Sequence, residues 1–432
     1  MKAVSRISNN LNGEIVCPGD KSISQRSVIL GSLLDTDIKI SGFLFAEDPL
    51  STVNAMRSLG NNIEIQDETV VIKNSEKSKV TKKVFCNLGN SGTGMRLIAG
   101  LIAGQKLNVE LSGDESLSSR PMGRIIEPLI KMGAKIESND GCAPLVFSES
   151  ILLDEFYFKM PIASAQVKSA ILLAGLNAEG KTQVQEKYPT RDHTERMMKT
   201  FEANISSSKG IIEIERSDLK TPGQIEVPGD FSSAAFFIGA CLISENSEIK
   251  IKNVGINNTR KAFLDCLLDM NANIDLANIR QLGNEEVADL VIKSSDLLPA
   301  KIMEDIVPNL IDELPLFFLI ASLIDGESEF NGLSELKHKE SDRLSIMINN
   351  LQKLDVEVQL NEDSLKIIGK KDRIFPDELF DSHGDHRIAM TMLVAGLRST
   401  KGLTINNLEC INTSFPEFID QAKTLGFSFK NG

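Results

Sequence analysis

The chain has 432 residues, 41% hydrophobic and 25% charged, with a formal net charge of −13. That length carries a prior of about three domains with a large buried core. The acidic balance argues against a nucleic-acid partner, whose phosphates call for a basic face, but allows a small anionic ligand in a locally positive site.

In chain order, "GEIVCPGDKSISQRS" predicts a strand, a Pro18-Gly19-Asp20 corner and a helix. The corner returns 210 positions later as "EVPGDFSSAAFF". Gly13, Ile15, Pro18, Gly19, Asp20 and Ser22 match Gly223, Ile225, Pro228, Gly229, Asp230 and Ser232, yet Lys21 becomes Phe231 and Arg26 becomes Phe236. A second pattern occurs six times: "MRSLGNNIEI", "LIKMGAKIES", "MKTFEANISS", "LLDMNANIDL", "LQKLDVEVQL" and "AKTLGFSFKN". Each reads as a helix ending in an apolar residue (Leu59, Met132, Phe201, Met270, Leu354, Leu425), a small or polar pair, then an alternating strand. The steps of 73, 69, 69, 84 and 71 define a unit of roughly 70 residues.

Interleaved with these are "SGTGMRLIAGLIAG", "SAQVKSAILLAGL", "SSAAFFIGACLIS", "LPLFFLIASLI" and "DHRIAMTMLVAGL". A helix without a polar face belongs inside a protein. Each unit is therefore expected to run strand, buried helix, strand, amphipathic helix, strand, with sheets outside. A doubly wound sheet would need amphipathic helices throughout. The longest apolar run, Leu314 to Ile324, has eleven residues, about half of a membrane span. "MKAVSRISNN" shows no signal-peptide core. Cys17, Cys86, Cys142, Cys241, Cys266 and Cys410 lie far apart without a C-x-x-C pair, which predicts reduced buried thiols and a cytoplasmic setting.

Each buried helix is expected to begin with a capping Ser, Thr or Asp. Lys21, Arg26, Arg96, Lys168 and Arg387 fall in the first turns. A cation there opposes the helix dipole by some tenths of a kcal/mol, which suggests a bound anion. A snorkelling surface residue explains any single case, but not five equivalent ones. The apolar second corner implies that the charges of Lys21 and Arg26 are not structural. Ser22 and Arg26, spaced i,i+4, share a helix face.

"LGNSGTGMR" is a Gly-rich loop opening a helix, in the wrong order for a dinucleotide fingerprint; it suits an anion or a plain tight turn. "GLNAEGKT", Gly175 to Thr182, fits the P-loop pattern, but a helix precedes it and a strand follows, so it reads as a helix-to-strand turn. "HKESDRL" gathers Lys339, Glu340, Asp342 and Arg343, usually a solvated helix start. "IDELP" sets Asp312 and Glu313 against an apolar helix. "HGDHR" holds two histidines, but capping by Asp385 and anion binding by Arg387 are preferred to a metal, and no H-E-x-x-H or Cys cluster is present.

Taken together, "PGDKSISQR", "GNSGTGMR", "SRPMGR", "SAQVKSA", "RDHTERM", "KESDRL" and "HGDHRIAM" occur in the order of the 5-enolpyruvylshikimate-3-phosphate synthase family, which the chain resembles from about Lys2 to its end. "SAQVKSAILLAGLN" with "RDHTE" resembles the second, often glyphosate-tolerant, class. The resemblance implies a two-domain inside-out α/β barrel of six repeated β-α-β-α-β-β units with buried helices. One domain would span 20–227, on the shikimate 3-phosphate side, and the other 1–19 with 228–432. The implied reaction moves the enolpyruvyl group of phosphoenolpyruvate to the 5-hydroxyl of shikimate 3-phosphate and releases phosphate. No cofactor, metal, nucleic acid or membrane is implied, and a monomer is expected.

Position by position, the resemblance makes Lys21 a contact of both substrates. Ser22, Arg26, Ser164, Ala165, Gln166, Arg191, Asp312 and Lys339 would hold shikimate 3-phosphate. Gly92, Arg120, Gln166, Arg343 and Arg387 would hold phosphoenolpyruvate. Asp312 would deprotonate the 5-hydroxyl, and Glu340, with Lys21, would handle the proton at C3. Several positions depart from the family pattern. Ala165 stands where many members have Ser, Thr413 where the first class has a closing lysine, Gly92 where the tolerant class often has Ala, and Leu97 where Pro often follows the arginine. The sister transferase acting on UDP-N-acetylglucosamine typically needs a loop cysteine, and "LSGDESLSSRPMG" has none. An inactive phosphometabolite-binding protein would lack turnover, against the intact Asp312 and Glu340. An RNA cyclase built of related units is disfavoured by the acidic charge.

Overall fold

The helices without a polar face are inside. In the computed structural model, residues 1–78, 82–103, 105, 107–150 and 155–431 are described. Gly104, the last residue of one predicted buried helix, and Gly432 lie outside them.

The chain opens with β1 (Ala3–Arg6), β2 (Asn12–Val16) and α1 (Lys21–Gly31). Next come β3 (Ile38–Ser41), α2 (Glu47–Ser58), β4 (Ile63–Gln66) and β5 (Thr69–Ile72). β6 (Val84–Asn87), α3 (Gly92–Ala103), β7 (Val109–Ser112), α4 (Glu115–Ser118), α5 (Gly123–Lys131), β8 (Lys135–Asn139) and β9 (Cys142–Ser148) follow. Then β10 (Phe156–Lys159), α6 (Ala165–Gly175), β11 (Thr182–Gln185), α7 (His193–Thr200), β12 (Ile205–Ser208) and β13 (Ile211–Ile214). The second half begins with β14 (Gln224–Glu226), α8 (Phe231–Ile243), β15 (Glu248–Gly255), α9 (Ala262–Asp269), β16 (Asn273–Leu282) and β17 (Glu285–Lys293). It continues with β18 (Lys301–Ile302), α10 (Leu314–Ala321), β19 (Gly326–Asn331), α11 (Arg343–Lys353), β20 (Glu357–Asn361) and β21 (Ser364–Gly369). Last are β22 (Leu379–Asp381), α12 (His386–Ala395), β23 (Leu403–Asn406), α13 (Phe418–Thr424) and β24 (Ser428–Asn431).

These strands form six four-stranded sheets, three in each of two compact units. Unit 1 comprises Met1–Pro18, Pro228–Gln281 and Glu286–Gly432; unit 2 comprises Gly19–Val227 and Leu282–Glu285. In the sheet β6-β7-β9-β8, a parallel pair is joined through the buried α3, and the amphipathic α5 leads into an antiparallel hairpin. The sheets β10-β11-β13-β12 and β18-β19-β21-β20 repeat this order. In the last sheet, β1 pairs with both β23 and β24. Two sheets exchange their first strand. β2, which precedes α1, pairs parallel with β15 of unit 1, whereas β14, which precedes α8, pairs parallel with β3 of unit 2. The repeated strand and corner thus close two sheets with the same topology.

All six outer helices stop in the same way. Leu59, Met132, Phe201, Met270, Leu354 and Leu425 are their C-caps. The next residue is left-handed each time: Gly60, Gly133, Glu202, Asn271, Asp355 and Gly426. The amide two residues past each cap donates to the carbonyl three before it, as Asn61 to Met56 and Phe427 to Ala422, the double-bonded helix stop that such a residue allows. Inside, every residue of α8, α10 and α12 is buried. Each unit has its own apolar core, and that of unit 1 includes Phe237 packed on Phe415, Phe418 and Phe427.

Three expectations need correction. α10 starts at Glu313 with no side-chain cap bond, so the capping rule holds for the other five buried helices only. The cysteines are free, but Cys142, Cys266 and Cys410 are half-buried rather than buried. Lys168 is not an anion-facing cation: it is wholly buried and paired with Glu186 and Glu195. The P-loop lookalike does lie between α6 and β11 as a turn, and a Cβ at Gly175 would stand 2.7 Å from Thr182 Cβ. Among the described residues, no helix is long and apolar enough to cross a membrane.

Candidate functional site

The predicted residues of unit 2 collect at the starts of its three buried helices. Asp20 caps α1 by accepting from the Ile23 amide at 2.8 Å, Ser164 caps α6, and Ser91 Oγ accepts from the Gly94 amide in α3. Gln25 ties two of these starts together, donating to Ser91 Oγ at 2.6 Å and to Thr52 Oγ1 at 2.9 Å. The corner needs its glycine: a Cβ on Gly19 would lie 1.9 Å from the Gly42 carbonyl oxygen.

Lys21 Nζ donates to Asp48 Oδ2 at 3.1 Å and is only partly buried. Arg26 is buried and bound to neutral partners. Its Nε donates to Thr194 Oγ1 at 2.7 Å, Nη1 to the Ser22 carbonyl at 3.0 Å and Nη2 to Ser169 Oγ at 3.0 Å. Among the described residues, no carboxylate lies within ion-pair distance of it. Burial pushes its pKa down while Asp20 and Glu195 pull it up, and a guanidinium stays charged in such a site. An unpaired buried charge costs on the order of several kcal/mol, so this guanidinium would stabilise an anion brought beside it.

Gln166, at the start of α6, reaches the Gly-rich start of α3, accepting from Arg96 Nη1 at 2.8 Å and donating to Thr93 Oγ1 at 2.8 Å. Arg120 Nη2 donates to Asn90 Oδ1 at 2.5 Å and to Ser116 Oγ at 3.1 Å. A Cβ on Gly92 would sit 2.8 Å from Arg96 Nη1 and 3.2 Å from Arg120 Nη1. Glycine here lets two guanidinium groups approach one helix start. Arg191 lies in the loop before α7, partly exposed, and Ala165 occupies the first position of α6.

The predicted residues of unit 1 also meet one another. Arg343, the first residue of α11, is fully buried among three carboxylates: Asp312 Oδ1 at 3.1 Å, Glu340 Oε2 at 2.5 Å and Asp385 Oδ2 at 2.8 Å. Burial works against its charge, but Asp385, Glu340 and Asp312 outweigh it and hold its pKa above the usual value. Asp385 also caps α12 and accepts from Ser341 Oγ at 3.0 Å. Arg387 Nη1 donates to the Asp312 carbonyl at 3.1 Å, and its Nε lies 3.6 Å from Asp312 Oδ1. Lys339 and Glu340 are partly exposed in the segment before α11. Thr413, also partly exposed, donates to the Cys410 carbonyl at 2.7 Å.

Sequence reading missed several partners. Asp48, which pairs with Lys21, sits in a stretch with no motif, and Asn90, which holds Arg120, lies in the Gly-rich motif without having been singled out. Ser232, Arg260 and Glu313 form a buried cluster in unit 1, with Arg260 Nη2 donating to Ser232 Oγ at 2.5 Å and lying 3.7 Å from Glu313 Oε1. The carboxylate beside the apolar α10 was the available signal for it. Among the described residues, no group of three or more His, Cys, Asp and Glu is placed to hold a metal ion.

Two units of three β-α-β-α-β-β repeats, with cations and carboxylates at the starts of buried helices, define an enolpyruvyl-transferase fold. The enolpyruvyl transferase NikO from Streptomyces tendae shares it with a TM-score of 0.81 at 15% identity over 99% of this chain and 98% of that one. EPSP synthase from Acinetobacter baumannii superposes with a TM-score of 0.87 at 37% identity, covering 100% and 99%. A 3-phosphoshikimate 1-carboxyvinyltransferase from Ruthia magnifica subsp. Calyptogena magnifica is 44% identical over 430 residues, 99% of this chain and 98% of its own. Another from Geotalea uraniireducens is 44% identical over 415 residues, 95% and 96% of the two chains. The profile of EPSP synthase (3-phosphoshikimate 1-carboxyvinyltransferase) matches residues 5–422, and the chain belongs to that enzyme family.

Proposed function

We propose that this chain transfers the enolpyruvyl group of phosphoenolpyruvate to the 5-hydroxyl of shikimate 3-phosphate, giving 5-enolpyruvylshikimate 3-phosphate and phosphate, with the residues named above as its machinery. The observation that carries the site reading is Arg26, a buried cation surrounded by hydroxyl and carbonyl oxygens with no carboxylate within ion-pair distance among the described residues. Such a site gains most from an arriving dianion.

In this reading shikimate 3-phosphate is held by Lys21, Ser22, Arg26, Ser164, the Ala165 backbone, Gln166, Arg191 and Lys339. Phosphoenolpyruvate is held by Lys21, Gly92, Arg120, Gln166, Arg343 and Arg387. Asp312 takes the proton of the 5-hydroxyl as its oxygen bonds to C2, and C3 gains a proton. The tetrahedral adduct then loses phosphate while the C3 proton leaves. Glu340 serves C3, with Lys21 as its partner in proton transfer. Arg343 supports this assignment by binding both Asp312 and Glu340, the two groups given proton-transfer roles. Arg387, donating to the Asp312 carbonyl, keeps a second cation beside them.

The second-class subtype is proposed on "SAQVKSAILLAGLN", "RDHTE" and Thr413. A cytoplasmic monomer is proposed as the working form, to be checked by light scattering on the eluted protein. Phosphorus NMR with both substrates and no metal or nucleotide tests the reaction. Inorganic phosphate and a new enolpyruvyl product are expected. Neither should form when UDP-N-acetylglucosamine replaces shikimate 3-phosphate. Broadened ligand signals without phosphate release would instead favour the inactive binding protein.

A further inference from the structure

Four residues after its cap, each buried helix places one fully buried side chain against its unit's core. In α6 that side chain is the charged Lys168.

 The other five helices fill that place with Ser24, Met95, Ala234, Phe317 and Ala389, so the repeat itself requires no cation. Lys168 is the exception, and it is wholly buried. Its Nζ lies 2.7 Å from Glu195 Oε1 and 3.1 Å from Glu186 Oε1, and donates to the Thr190 carbonyl at 3.2 Å. These three oxygens belong to one connection. Glu186 directly follows β11, Glu195 sits in the first turn of α7, and the Thr190 carbonyl is the peptide group leading into Arg191.

The same connection is tied down twice more. Glu186 Oε1 accepts from the Thr190 amide at 3.1 Å and from its hydroxyl. Ser169, next to Lys168 on α6, shares a 2.6 Å hydrogen bond with Thr194, and Arg26 donates to both hydroxyls. A buried ion cluster is a poor route to stability alone, because apolar side chains of similar volume commonly do as well or better. What it supplies is geometry: one ammonium holds both ends and the middle of the segment that carries Arg191.

We propose that Lys168 is a positioning residue for shikimate 3-phosphate, clamping residues 186–195 so that Arg191 is in place before the substrate arrives. This rests on the reading of Arg191 as a ligand of that substrate, so the experiment separates the two. Lys168→Met/Glu186→Gln/Glu195→Gln removes the charges together and leaves none unpaired. It is expected to raise KM for shikimate 3-phosphate about tenfold, with KM for phosphoenolpyruvate and kcat at saturation changed less than about threefold. A folded triple variant with KM for shikimate 3-phosphate unchanged would overturn the proposal, as lost stability alone leaves the KM of the folded fraction intact. Arg191→Met should raise the same KM; if it does not, the ligand reading is at fault and the proposal falls with it. Amide exchange on the intact protein decides independently of any variant's folding. The Thr190 amide, bonded to Glu186, and the Arg196 amide, bonded to the Asp192 carbonyl, should be protected without ligand; protection that appears only with shikimate 3-phosphate would overturn preorganisation.

Discussion

The chain builds the same helix start twice and uses it differently. At α1, Asp20 caps the helix, Lys21 pairs with Asp48, and Arg26 is buried among hydroxyl and carbonyl oxygens. At α8, Asp230 also caps the helix, accepting from the Ser232 amide, but Phe231 and Phe236 lie in the core, and Phe236 packs edge-on against Phe418 with centroids 6.0 Å apart. Even the tight backbone approach is shared: a Cβ on Gly229 would lie 2.8 Å from the Asn253 carbonyl oxygen, as one on Gly19 would press on Gly42. The corner is therefore a feature of the backbone, and its charge is an addition to it. The cation near the second corner, Arg260, lies 3.8 Å from Asp230 and 3.7 Å from Glu313, so its charge is used internally.

The sharpest way to break this comparison is to exchange side chains between the corners. Phe236→Arg puts a charge into an aromatic core and should cost about 5 kcal/mol, leaving little folded protein in a thermal melt. A melting temperature close to that of the parent would mean that the second corner tolerates charge. Lys21→Phe, which copies the second corner into the first, should fold normally and lower kcat/KM about 10³-fold, measured by phosphate release. If it unfolds instead, the first charge is structural. Arg260→Met strands the buried Glu313 and should cost about 3 kcal/mol in urea unfolding. A loss below about 1 kcal/mol would show that this arginine is dispensable to the fold. The smallest effect is expected of Ala165→Ser at the first position of α6, with KM for shikimate 3-phosphate within about twofold. A larger change would show that the side chain at this position reaches the substrate.

The repeat was legible because its signals are local. Six helix stops announce themselves through an apolar residue, a left-handed position and an alternating strand, and all six formed where expected, even with Glu202 and Asp355 in the left-handed place. The apolar helices were equally legible, since a sequence without a polar face leaves only the interior. The charged positions were harder to read. Lys168 and Arg26 look alike in sequence, each a cation early in a buried helix, yet among the described residues one meets two carboxylates and the other none. Their partners come from distant segments, Glu186 and Glu195 for one, Thr194 and Ser169 for the other.

By itself, then, the sequence determined the six-fold repeat, the identity of the buried helices, the helix stops and the paired corners, because hydrophobic periodicity and backbone preference act over a few residues. Only the tertiary structure decided which strand completes which sheet, with β2 joining β15 and β14 joining β3. It also decided which charges neutralise one another and which remain open to a ligand. That division follows from range: burial and chirality are felt locally, whereas an ion's partner is whatever the fold brings within a few ångströms of it.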